Sequence, residues 1–206
     1  QPTSHAAHRK DLGLAHPLFA HFDPPAGGTG SIGMAVLIGL GASDRRYFRV
    51  QKGTLSAVLM ECGREDPDYE RHLAYTKFFR GHGVPVPRLL GTDEPGKRAL
   101  FEDLGDLSLY SWLRFPHDAE LIETQYRRVL DILVSLHHDA TEHVDECPLL
   151  ASRLFDYDHL RWETSYFLEQ FVTGLRKARI ADRKSINEDL HNLAKTVSSF
   201  LPSIIH

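Results

Sequence analysis

Between Gly33 and Glu61 the apolar residues come in short runs, "MAVLIG", "RRYFRVQ" and "LSAVLME", with Lys52, Gly53 and Thr54 as turn residues between the second and third. Short runs bounded by turn residues predict an antiparallel meander. The stretch "DPDYERHLAYTKFFRGHG" opens on acidic residues and a proline and closes on Gly81 and Gly83, which predicts one helix. Two more extended segments follow, "VPVPRLLGT" and "KRALFED"; the prolines suit an edge or the first positions of a strand.

After Leu104 the strand pattern stops. In "DAELIETQYRRVLDILVSLHHD", Ile122, Tyr126, Val129, Leu133 and Leu136 recur at steps of four and three, the seam of an amphipathic helix. "DYDHLRWETSYFLEQFVTG" and "ADRKSINEDLHNLAKTVSSFL" predict two more helices, stopped by Gly174 and Pro202. Five strands with one inserted helix, then a helical block, predict an α+β chain of two lobes with its boundary near Glu102 to Ser108. Residues 1–30 carry no sustained period; they read as a lead-in or linker, with a short helix around Leu12 to His21. The first residue is Gln, which fits a processed or cut N-terminus.

Composition narrows the function classes. With 24 Lys and Arg against 28 Asp and Glu there is no basic surplus to neutralise a phosphate backbone, so nucleic acid is not the expected partner. No apolar run reaches the roughly 18 to 20 residues that span a bilayer, and the N-terminal stretch lacks a secretory apolar region. The expectation is a cytoplasmic protein without a membrane partner, in which Cys62 and Cys147 are reduced thiols.

The stretch "GLGASDRRYFRV" places Gly39, Gly41, Ala42 and Ser43 between two strands, with Asp44 where the third glycine of G-x-G-x-x-G would stand. A turn of small residues lets backbone N–H groups approach a phosphate; it also makes a plain tight hairpin. Both readings stay open on the turn alone.

The order of glycine turn, strand, strand, helix, "GVPVPRLLG" and a strand ending in "LFEDLGD", followed by helices, resembles the aminoglycoside phosphotransferase family, which has a protein-kinase-like fold. "GASDRRYFRV" with "SAVLME" is most similar to the bacterial kinases that phosphorylate N-acetylmuramate and N-acetylglucosamine in cell-wall recycling. The resemblance covers roughly Val36 to the C-terminus. It implies a nucleotide-binding lobe over 31–104, a partial helical lobe over 105–206, and ATP and Mg²⁺ as cofactors. It implies further that Gly41, Ala42 and Ser43 lie over the ATP phosphates and that Val58 covers the adenine. Phe101 to Leu104, including Glu102, Asp103 and Leu104, would form the hinge whose backbone meets the adenine edge, while the helical block holds a small-molecule acceptor.

The strand that carries a phosphate-pairing lysine in protein kinases reads "AVLME", with Met60 at or beside the lysine position. A cation is needed there to meet the β- and γ-phosphates. Strand alternation puts Arg46, Phe48 and Val50 on one face and Tyr47 and Arg49 on the other, so one arginine of the two can face the cleft. Arg46 is the expected cation, with a surface arginine on an exposed meander as the plain alternative. Glu70, the helix glutamate that would pair a lysine, then reads as a solvated residue.

At the end of the chain, "SIIH" resembles the short strand that leads into the family's catalytic loop, with His206 opening that loop. The resemblance then implies that the catalytic aspartate and asparagine and the Mg²⁺-holding aspartate lie beyond it. On that basis the chain is an N-terminal part of the enzyme, inactive alone, and its apolar helix faces favour self-association. Three other readings compete. An aminoglycoside or amino alcohol could be the acceptor, and a non-catalytic nucleotide-binding module would account for Met60. His137, His138, His143 and Cys147 could hold zinc, though their spacing matches no standard site and no metal ligand is assigned.

Overall fold

The structure is a computed structural model that describes residues 17–19, 32–41 and 44–204. Five strands, β1 (Ile32–Leu40), β2 (Arg46–Lys52), β3 (Leu55–Glu61), β4 (Leu89–Asp93) and β5 (Arg98–Glu102), form one sheet in the order β1-β2-β3-β5-β4. All neighbours are antiparallel. The meander forms as the pattern predicts. Gly53, at φ +60°, takes the left-handed position in the turn that joins β2 to β3. β4 is an edge strand, where Pro85 and Pro87 just before it cost no ladder bond.

Alternation gives the sheet two different faces. Phe48 and Val50 of β2, Ala57 and Leu59 of β3 and Leu100 of β5 pack together on one, and Leu18 and Phe19 from the short 3₁₀ turn Pro17–Phe19 cover them. Leu59, Val50 and Leu100 are fully buried, each contributing about 2 kcal/mol of transfer free energy. The short helix expected around Leu12 to His21 is described only in this one turn. On the other face Met60 and Ala99 pack under helix α1 (Asp68–Gly81) through Tyr69 and Leu73, four residues apart. Just before α1 the chain makes a local turn in which Asp66 Oδ1 accepts the Asp68 N–H at 2.8 Å. The Tyr69 hydroxyl donates to the Arg98 carbonyl at 2.9 Å, tying α1 to the end of the sheet.

Every described element after Glu102 is helical, so the change from strands to helices falls where the sequence places it. The chain divides into two compact units, Gln1–Ala140 and Thr141–His206. The first adds α2 (Leu109–Leu113), which the sequence pattern misses because it is only five residues long, and α3 (Ala119–Val134), continued by a π-helical turn Ser135–Asp139. Of the α3 seam, Leu136 is buried while Tyr126 and Val129 are exposed. A helical turn Ala140–Glu142 follows.

The second unit holds α4 (Pro148–Ala151), α5 (Tyr157–Tyr166) running on as a π-helix Phe167–Leu175, and α6 (Arg183–Ser198). The Tyr157 hydroxyl lies 2.7 Å from His191 Nδ1, joining α5 to α6. The strand expected at "SIIH" does not form in its described part: Ser203 and Ile204 belong to no sheet. The Ile204 N–H instead donates to Thr141 Oγ1 at 3.0 Å. Among the described residues no strand stands beside this segment, so it has no ladder to join. Both cysteines are free thiols, with Cys147 buried. No described helix is long and apolar enough to cross a membrane.

Candidate functional site

A recess of about 330 Å³ opens on the α1 side of the sheet, inside the first unit. Its floor follows from register: Arg49 is opposite Val58, and Val58 is opposite Phe101, so the three side chains share one face. Tyr47 lies two residues before Arg49 on that face. A bulge between Leu37 and Gly39 leaves Ile38 without a cross-strand partner and lets it line the recess as well. The far wall is the segment after β5, Glu102 to Asp106, with Pro87 beside it. Ile38, Val58 and Phe101 give a flat apolar slot flanked by exposed chain, a shape that suits a planar heterocycle.

The polar side of the recess is an ion cluster. Arg49 donates from Nε to Asp103 Oδ2 at 2.7 Å, and from Nη1 to Asp106 Oδ2 at 2.8 Å. Its Nη2 reaches both carboxylates, at 3.0 Å and 2.9 Å. The Ser56 hydroxyl and the Gly105 N–H also donate to Asp103, at 2.6 Å and 2.9 Å. The Arg49 guanidinium holds the Asp103 carboxyl down at about 2, helped by Ser56 and Gly105 against the opposing effect of burial. The Asp106 and Asp103 bonds in turn raise Arg49, and Asp106 is lowered by Arg49. Glu102 is lowered by bonds from Arg88, whose N–H donates to Glu102 Oε2 at 3.1 Å.

Val58, Glu102, Asp103 and Leu104 are therefore brought together at one recess. Arg46 is not among them. Phe48 and Val50 point into the opposite core, and alternation sends Arg46 to their side, half-exposed and 3.5 Å from Glu61 Oε2. The arginine of the pair that reaches the recess is Arg49. Met60 is buried under α1 and its position supplies no charge. Glu70 is exposed, 3.4 Å from Lys97. Ala42, Ser43 and His206 lie outside the described residues.

Gly41 has a use the sequence did not suggest. Its N–H donates to the Arg45 carbonyl at 2.8 Å, and a Cβ at this position would come within 2.9 Å of Arg45 Cβ. The missing side chain makes room for Arg45. Asp44 adopts φ 47°, the left-handed conformation that aspartate tolerates better than most residues, at the position of the missing third glycine. Arg45 stands just before the regular strand β2. Its side chain is only 14% exposed and meets His72 and Asp68 of α1 and Asp66 just before the helix. The signal in hindsight is the charge pattern: an arginine beside a turn and two aspartates at a helix start.

Of the residues considered for zinc, His138 bonds its neighbour Asp139 and His143 bonds Glu146.

Comparison with known proteins bears on the site as a whole. A family model described as "Phosphotransferase enzyme family" matches residues 35–206. The N-acetylmuramate/N-acetylglucosamine kinase of Pseudomonas aeruginosa is 32% identical over 131 residues, which is 64% of this chain and 36% of that protein. The matched region thus spans about a third of the relative's length.

Proposed function

The chain belongs to the phosphotransferase enzyme family, and from that premise we propose that it carries the nucleotide-binding part of an ATP-dependent kinase whose acceptor is a hydroxyl of an N-acetylated amino sugar. The five-stranded antiparallel sheet followed by helices is the family's protein-kinase-like fold. One observation carries the nucleotide reading: Val58, Phe101 and the Glu102 to Leu104 segment converge on one slot. In this proposal Val58 and Ile38 cover the adenine. The backbone of Glu102 to Leu104 meets its edge, and the turn at Gly41, with Ala42 and Ser43, lies over the phosphates.

Phosphoryl transfer asks the protein mainly to position reactants and to stabilise spreading negative charge. The sheet supplies the first of these by holding the purine between apolar walls. Kinases of this family generally use ATP with Mg²⁺. The carboxylates of the recess do not fit a metal as they stand, since Asp103 and Asp106 are both engaged by Arg49 and Glu102 by Arg88. No Mg²⁺ ligand is assigned among the described residues.

The amino-sugar acceptor rests on the likeness to the Pseudomonas aeruginosa kinase. The test is an assay of the whole protein with ATP and Mg²⁺ against N-acetylated amino sugars, aminoglycosides and amino alcohols. Phosphorylated amino sugar is the expected product. Turnover of only an aminoglycoside or amino alcohol would overturn the acceptor class, and no turnover together with no nucleotide binding would overturn the kinase. Self-association is part of the same proposal, supported by the exposed Trp162, Tyr166, Phe167 and Phe171 on the second unit. Sedimentation velocity across a concentration series should show a rising average mass.

A further inference from the structure

Protein-kinase sites couple a strand lysine to a glutamate of the following helix, so that sheet, helix and phosphates are held in one register. Here the strand offers the buried Met60 and the helix offers the exposed Glu70, so these two positions do not make that tie. A different tie stands nearby. Arg45 Nη1 meets His72 Nε2, Nη2 donates to Asp68 Oδ2 at 3.3 Å, and Nε is 3.5 Å from Asp66 Oδ2. Asp68 and His72 lie in the first turns of α1 and Asp66 just before it, and the Arg45 carbonyl accepts the Gly41 N–H.

We propose that Arg45 is a positioning residue that fastens the glycine turn to the start of α1 and so sets how tightly the turn holds nucleotide phosphates. The inference rests on the nucleotide reading given above. The geometry favours positioning over a direct phosphate contact, because each guanidinium nitrogen is directed at a partner on α1 or just before it. The local charge agrees: Asp66 and Asp68 balance Arg45 and Arg71, which bonds Asp68 Oδ1 at 2.6 Å, leaving no cationic surplus for a triphosphate. Gly41 belongs to the same device, since any side chain there would push Arg45 off its partners.

The test measures ATP and adenosine affinity of the full chain by calorimetry, for the wild type and for Arg45→Gln, Arg45→Lys and His72→Ala. His72→Ala removes one anchor without removing the guanidinium, and it stands in should the Arg45 variants fail to fold. Positioning predicts that the ratio of ATP to adenosine affinity falls about tenfold in Arg45→Gln, since charge-assisted bonds to three partners are lost. Arg45→Lys should fall as far, because an ammonium keeps the charge but cannot reach three partners at once. His72→Ala should move the same way by less, with adenosine affinity unchanged throughout. A wild-type ratio in Arg45→Lys or His72→Ala overturns the inference, even where thermal stability has dropped. A wild-type chain that binds neither ligand overturns the nucleotide reading itself, an outcome seen before any variant is made.

Discussion

Arg49 and Asp103, 54 residues apart in sequence, meet at 2.7 Å and join the second strand of the sheet to the segment that follows the fifth. The carboxylate at one end of this contact is almost fully buried, and the guanidinium extends over it to a second aspartate, Asp106. The pair lines the recess, so a change in its ionisation is felt where the nucleotide is proposed to sit.

That contact makes stability depend on acid. Asp103 sits at about 2 in the folded chain against an ordinary 3.8, so the folded state binds its proton less readily than the unfolded state does. The resulting stabilisation is complete above about pH 4 and is lost as pH falls towards 2. Asp106, Asp68 and Glu102, lowered in the same direction, add to the fall. Urea midpoints between pH 6 and pH 2 should drop across this window, and Asp103→Asn should flatten the drop. An unchanged pH slope in that variant would remove Asp103 from the explanation.

Gly91 lies under the Pro17–Phe19 turn, where a Cβ would come within 2.5 Å of the Leu18 carbonyl oxygen. Backbone cannot swing aside as a side-chain tip can, so Gly91→Ala should displace Leu18 from the core it caps. A loss of about 1 to 3 kcal/mol is expected, the usual cost of overpacking. Chemical denaturation checks this, and limited proteolysis should cut the variant faster before Ile32.

Tyr69 is buried and its hydroxyl holds the Arg98 carbonyl, while burial pushes its phenol up to about 12. Tyr69→Phe removes the donor to this half-buried carbonyl, for a loss of about 1 kcal/mol. Thermal melts would show it. An ultraviolet titration of the wild type should contain a component near 12, and that component should vanish in the variant.

Val58 forms the floor of the slot between Arg49 and Phe101. Val58→Phe should fill the space of a purine and abolish measurable adenosine and ATP binding, while the buried faces of β3, carried by Ala57 and Leu59, stay intact. Equal loss of both ligands is the signature, in contrast to the selective loss of ATP expected at Arg45. Retained binding would place the nucleotide elsewhere.

The sequence by itself determined the five strands of the sheet, the inserted helix and the helices that follow. These depend on short-range quantities: a period of two, a period of 3.6, and turn residues at the ends. Alternation on β2 already implied that Arg46 and Arg49 take opposite faces, since that rule is local. Which face holds the site was not local. It was decided when Leu18 and Phe19 covered the Phe48 and Val50 side and α1 packed over Met60 and Ala99 on the other. The same packing turned Arg46 towards Glu61 and brought Arg49 to Asp103. The use of Gly41 was equally hidden. A glycine before a strand suggests an approach by a ligand, and only the path of Arg45 towards His72, Asp68 and Asp66 shows that a neighbouring side chain takes that space. Contacts between residues more than twenty positions apart depend on how the sheet and helix dock, and no pattern along the chain encodes that docking directly.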